Sequence, residues 1–105
     1  MSSFHKRQRP KEVEVTLWLR VENNNKFVSG KTRVRVDIEN YVLARYNMKK
    51  LRKDGGKYLL TIPYIDEADL EKKVDNLYEE MQFQVGGKHC FIEADITNPF
   101  TGYSF

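Results

Sequence analysis

His89, Glu93 and Asp95 are the nearest this chain comes to a reactive cluster. They fall on one side of the alternating stretch Lys88–Ile96, opposite Cys90, Ile92, Ala94 and Ile96. Two carboxylates two residues apart on a strand lie about 6.6–6.8 Å apart along it, and with a third they could share a hard cation. His89 would lie roughly 13 Å from Glu93 by the same rise, too far to join that ion. Cys90 follows His89 directly, but neighbours on a strand point to opposite faces and form no nucleophile–base pair. Cys90 therefore reads as a small core residue, and the carboxylates as a solvated strand face. Gly55-Gly56 and Gly86-Gly87 lack the strand-to-helix spacing of a phosphate loop or dinucleotide fingerprint and read as turns. CxxC, HExxH, GxSxG and Asp-rich calcium-loop patterns are absent. No catalytic residue, cofactor or metal site is expected, and the chain leans away from enzymes.

Binding chemistry is better represented. Residues 1–57 carry fifteen Lys/Arg against six Asp/Glu (+9), and residues 58–105 carry three against nine (−6), which together give the net charge of +3. Lys6, Arg7, Arg9 and Lys11 form an acid-free basic arm, and Lys49, Lys50, Arg52 and Lys53 form a second cluster. A third group, Arg20, Lys31, Arg33 and Arg35, is interleaved with Trp18 and Phe27. Basic side chains among aromatics on an open sheet can hold single-stranded nucleic acid by phosphate contact and base stacking. Glu12, Glu14 and Asp37 would neutralise part of that face.

These side chains need strands to carry them. Val13, Val15, Leu17, Leu19 and Val21 alternate with Glu12, Glu14, Thr16, Trp18, Arg20 and Glu22, the period of a half-buried strand. A second alternation sets Val28, Thr32, Val34, Val36 and Ile38 against Phe27, Ser29, Lys31, Arg33, Arg35 and Asp37. Asn23-Asn24-Asn25 between them suits a tight turn. A two-residue turn at Asn24-Asn25 pairs Val21 with Val28, Val15 with Val34 and Val13 with Val36, all on one face. It also sets Glu14 opposite Arg35 and Trp18 opposite Lys31. The expectation is a hairpin of strands 12–22 and 27–37.

Asn40 starts a short helix at about 38–46, and 47–53 is left open between helix and strand. Tyr58, Leu60 and Ile62 alternate with Leu59 and Thr61 in a strand at about 57–63 that Pro63 should end. Asp66 is the N-cap of a helix at about 66–82, with Glu67, Asp69 and Glu71 near its positive end. Ile65 and Leu70 form its hydrophobic staple, and Leu70, Val74, Leu77, Tyr78 and Met81 its apolar stripe. A last strand covers about 88–96, and the aromatic tail Asn98–Phe105 should pack back on the body.

At 105 residues, 40% apolar and 31% charged, the chain has the size and composition of one globular domain. We expect a basic arm at 1–11 and a single α+β domain at 12–105. Its two layers would be an antiparallel or mixed sheet and helices on one face. No apolar run approaches the roughly 20 residues of a membrane span, so no membrane partner is expected. Without a secretory leader, and with Cys90 alone, the default location is cytoplasmic. The functional expectation is a small non-enzymatic binding or regulatory domain contacting an anionic partner such as nucleic acid. The alternative is a protein-interaction or self-associating module, a homodimer for example, with Trp18 and Phe27 at its interface.

Overall fold

The architecture is organised around its longest strand, β1 (Lys11–Asn23). In the computed structural model, which describes residues 11–24, 30–51 and 56–105, β1 lies in the sheet interior. Val15, Leu17, Leu19 and Val21 are buried, and Thr16, Trp18 and Arg20 point the other way, as period two requires. Thirteen residues let one strand serve two neighbours. Lys11–Trp18 pair antiparallel with β3 (Lys57–Tyr64), and Thr16–Asn23 pair antiparallel with β4 (Cys90–Thr97). A short strand, β2 (Asn47–Leu51), pairs antiparallel with the outer side of β3, giving the order β2-β3-β1-β4. Helix α1 (Lys31–Arg45) connects β1 to β2, and α2 (Glu67–Val85) connects β3 to β4. The resulting βαββαβ chain is a split-βαβ, ferredoxin-like arrangement. Both helices cover the same face of the sheet, the expected two-layer α+β design.

The second arm of the expected hairpin is replaced by a helix. Residues 31–37 form the first half of α1, and 25–29, including Phe27 and Val28, lie outside the described residues. The pairings Val15–Val34, Val13–Val36, Glu14–Arg35 and Trp18–Lys31 therefore do not occur. Glu14 faces Thr61 and Trp18 faces Lys57 instead. A spacing of four suits both an alternating strand and one helical face, so Val34 and Ile38 fit either element. Val42, four residues further on, completes the helical stripe, and all three are buried. Val36 discriminates, since a strand would bury it beside Val34, yet it is 42% exposed. With β3 and β4 occupying both edges of β1, no slot is left for a hairpin partner. The helix expected at about 38–46 is thus the second half of a longer one.

The remaining elements follow the sequence closely. Residues 47–51 resolve as strand, so β2 and β3 make the molecule's own hairpin. Asp66 caps α2, its Oδ1 accepting from the Asp69 N–H at 2.8 Å, while Asp69 Oδ2 accepts from the Ile65 N–H at 2.9 Å. That reciprocal pair satisfies two donors at the helix start, and the Ile65 N–H bond holds the Asp69 carboxyl below its ordinary pKa. Leu70, Val74, Leu77, Met81 and Val85 line the buried side of α2. The tail turns back as expected: Thr97 bridges Ser104, the Phe105 N–H donates to Ile96 O at 2.9 Å, and Phe100 meets Tyr64 edge-on at 6.0 Å. It lies along the outer edge of β4.

Candidate functional site

The sheet has one face under two helices and one that no described element covers. Strand register places every side chain of the uncovered face. Leu51, Lys57, Trp18 and Asp95 form one row across β2, β3, β1 and β4, and Lys49, Leu59, Thr16 and Thr97 form the next. Asn47, Thr61 and Glu14 follow beyond them, while Arg20–Glu93 and Glu22–Phe91 extend the other end. Apart from Lys57, which lies between Leu51 and Trp18, the centre is uncharged. Leu51, Leu59, Trp18, Thr16, Thr61 and Thr97 are all half-buried by their neighbours on the same surface.

Charge on this face is divided across the strands. The β2–β3 half carries Lys49 and Lys57 and no acid among its described residues. The β1–β4 half carries Glu12, Glu14, Glu22, Glu93 and Asp95 with Arg20, which bonds Glu22 at 3.6 Å and Glu93 at 3.7 Å. Glu12, Glu14 and Glu22 come from the basic half of the chain, so the polarity across the sheet is set by strand order and not by the polarity along the chain.

The other expected binding residues are dispersed. Lys31, Arg33 and Arg35 ride on α1, away from Trp18, so the basic–aromatic face does not form. Lys31 pairs with Glu22 at 3.5 Å and Arg33 with Asp37 at 3.9 Å. Arg35 turns inward, donating to Tyr58 Oη at 3.1 Å and to Leu19 O at 3.3 Å. Lys50 points to the helix side and meets Glu39 at 3.4 Å, whereas Lys49 stands on the uncovered face. Lys11 is the first residue of β1, and Lys6, Arg7, Arg9, Arg52, Lys53 and Phe27 lie outside the described residues.

Beneath α1, the Tyr58 hydroxyl donates to Glu39 Oε2 at 2.6 Å while accepting from Arg35. Burial first, and then the Glu39 bond, raises the Tyr58 pKa above its ordinary value. This network ties α1 to β3. Gly56 sits beside it at φ 82°, its carbonyl accepting from the Leu19 N–H at 2.8 Å. A Cβ there would stand 2.5 Å from Leu19 O, so glycine is required.

The reactive cluster of the C-terminal segment does not assemble. His89 precedes β4 in a left-handed turn at φ 56°, off the strand face that carries Glu93 and Asp95. Cys90 is buried, its Sγ 3.6 Å from Asn23 Oδ1. Among the described residues no three His, Cys, Asp or Glu side chains converge as a metal site would need. A groove of about 440 Å³ between α1 and α2 is lined by Tyr41, Arg45, Tyr46, Lys73 and Glu80, with Arg45 stacked 4.3 Å over Tyr41. No described helix is long and apolar enough to cross a membrane.

Sequence reasoning assigned Trp18 to the uncovered face but missed Lys57 and Leu59 beside it. The alternation of residues 57–64 was the available signal for their direction, and only the long-range pairing of β1 with β3 makes them neighbours. No family model, curated protein or solved structure matches this chain.

Proposed function

We propose that this chain is a non-catalytic binding domain that engages a protein surface through the uncovered face of its sheet. The observation that carries the reading is the half-buried patch around Trp18, apolar or hydroxylated at its centre and flanked by cations on one side and carboxylates on the other. Protein interfaces combine an aromatic-rich core with a polar rim in this way. A nucleic-acid surface needs a cationic track instead. Among the described residues, five carboxylates share the face with three cations, Arg20, Lys49 and Lys57, a balance that repels a polyanion.

Trp18 is the only tryptophan in the chain and reports directly on this face. Titration with a single-stranded oligonucleotide at low salt is expected to leave its emission unchanged. Salt-sensitive quenching, lost in Lys49→Ala/Lys57→Ala, would replace this reading with the nucleic-acid one.

A further inference from the structure

We infer that the occupant of the uncovered face is a second copy of this chain, packed sheet to sheet about a two-fold axis running along β1 and β3. The inference rests on the reading of that face as a protein-binding surface and adds the identity and orientation of what binds. The order β2-β3-β1-β4 puts the axis between the two central strands. Rotation about it lays β2 over the second copy's β4, and β3 over the second copy's β1. The half bearing Lys49 and Lys57 then faces the half bearing Glu14, Glu93 and Asp95, twice over. Lys57 meets the second copy's Trp18, where a cation over an indole face is favourable. Leu59 lies over the second copy's Thr16 beside the axis, and Leu51 over its Asp95 at the rim.

Two other arrangements fail on the same residues. An axis across the strands would lay lysines on lysines and carboxylates on carboxylates, which is repulsive in a desolvated interface. Edge pairing through β2 would bring Lys49 and Lys50 of both copies together, and cationic side chains on a short edge strand oppose strand addition. The β4 edge already carries the tail. Of these three arrangements, the axis along the strands alone is self-complementary, as a two-fold interface requires.

Size sets the strength. Four strands at about 4.8 Å spacing and eight residues at about 3.4 Å rise give a planar area of about 500 Å² per copy. Two such faces fall at the low end of specific interfaces, where association is weak and concentration-dependent. A weak, charge-matched dimer is the expected state.

Sedimentation of the full chain over a broad concentration range, at low and high salt, tests this with two variants. Lys49→Glu/Lys57→Glu leaves Arg20 as the one cation among the described residues of the face, and Glu14→Lys/Asp95→Lys cancels the net negative charge of the opposite half. The wild-type chain should dimerise at low salt and dissociate as salt rises, with Trp18 emission shifting to the blue on association. Each variant alone should associate at least about tenfold more weakly, and an equimolar mixture of the two should recover a heterodimer. The recovery shows that both variants remain folded. A wild-type chain that stays monomeric at every concentration, or a dimer indifferent to salt and to both reversals, would overturn the inference. A monomer whose Trp18 still ignores oligonucleotide leaves the protein-binding reading standing, so the two failures are separable.

Discussion

The two faces of this sheet are built from the same strands, yet they handle polar groups in opposite ways. On the helix-covered face, polar side chains are few and held within the chain: Tyr58 by Glu39 and Arg35, Asn23 by the start of α1. On the uncovered face, Arg20 is paired, whereas Lys49 stands two strands from Glu14 and Lys57 two strands from Asp95. Burial explains the first arrangement, because an unsatisfied polar group under a helix costs about 1–3 kcal/mol. Water tolerates the second without distinguishing separated charges from mixed ones. Segregation on the open face thus has no folding rationale, and this makes that face the place to look for recognition.

Adjacent residues of β1 give the sharpest way to break the contrast. Leu17 is 1% exposed under the helices, and Trp18 points the other way. Leu17→Ala should cost about 3–4 kcal/mol in denaturant unfolding. Trp18→Ala, measured at a dilution that keeps the chain monomeric, should cost about 1 kcal/mol or less. Comparable losses would mean that Trp18 serves the fold and that the two faces do not differ in kind.

The buried network offers a smaller and pH-dependent test. Tyr46, Tyr58 and Tyr78 all have raised pKa values, with burial the first cause in each. A phenol whose folded value lies above its unfolded value of about 10 keeps its proton longer in the native chain. Its contribution is complete below that pH and is lost as pH rises through the folded value. Tyr58→Phe should cost about 1–2 kcal/mol near neutrality by removing the link between Glu39 and Arg35. It should also flatten the decline in stability above pH 10. A variant with the full alkaline decline would assign that behaviour to Tyr46 and Tyr78 instead.

How far these faces were legible in the sequence depended on the range of the interactions that set them. The direction of β1 was readable because five aliphatics at period two admit one partition. The α2 start was readable because Asp66, Asp69 and Ile65 act within a few residues of one another. Residues 31–38 were misread because Val34 and Ile38 satisfy both periods. Three valines and an isoleucine are also weak helix formers, so packing against the sheet and not local preference makes α1 a helix. The alternation put Trp18 on the outer strand face, where it lies half-buried, yet its neighbours Lys57 and Asp95 come from segments some 40 and 77 positions away. No local pattern contains that pairing.

The smallest effect tests whether polar residues on the covered face are individually partnered. Asn23 has the inward parity of Val21, and a polar residue there would be a defect unless something used it. Its Oδ1 accepts from the Gly30 N–H at 3.1 Å and the Lys31 N–H at 3.0 Å. Gly30 has no side chain to cap α1, and the first turn of that helix holds no acid. Asn23 therefore caps the helix from the end of a strand, joining the two layers where the chain passes from one to the other. Asn23→Ala should cost about 1 kcal/mol in denaturant unfolding, the scale of a lost N-cap. Asn23→Asp keeps the acceptor and adds charge at the positive end of the helix, so it should retain most of the stability. If alanine and aspartate behave alike, the start of α1 is held by packing alone. The rule that every polar group on the covered face has a structural partner would then fail at its simplest case.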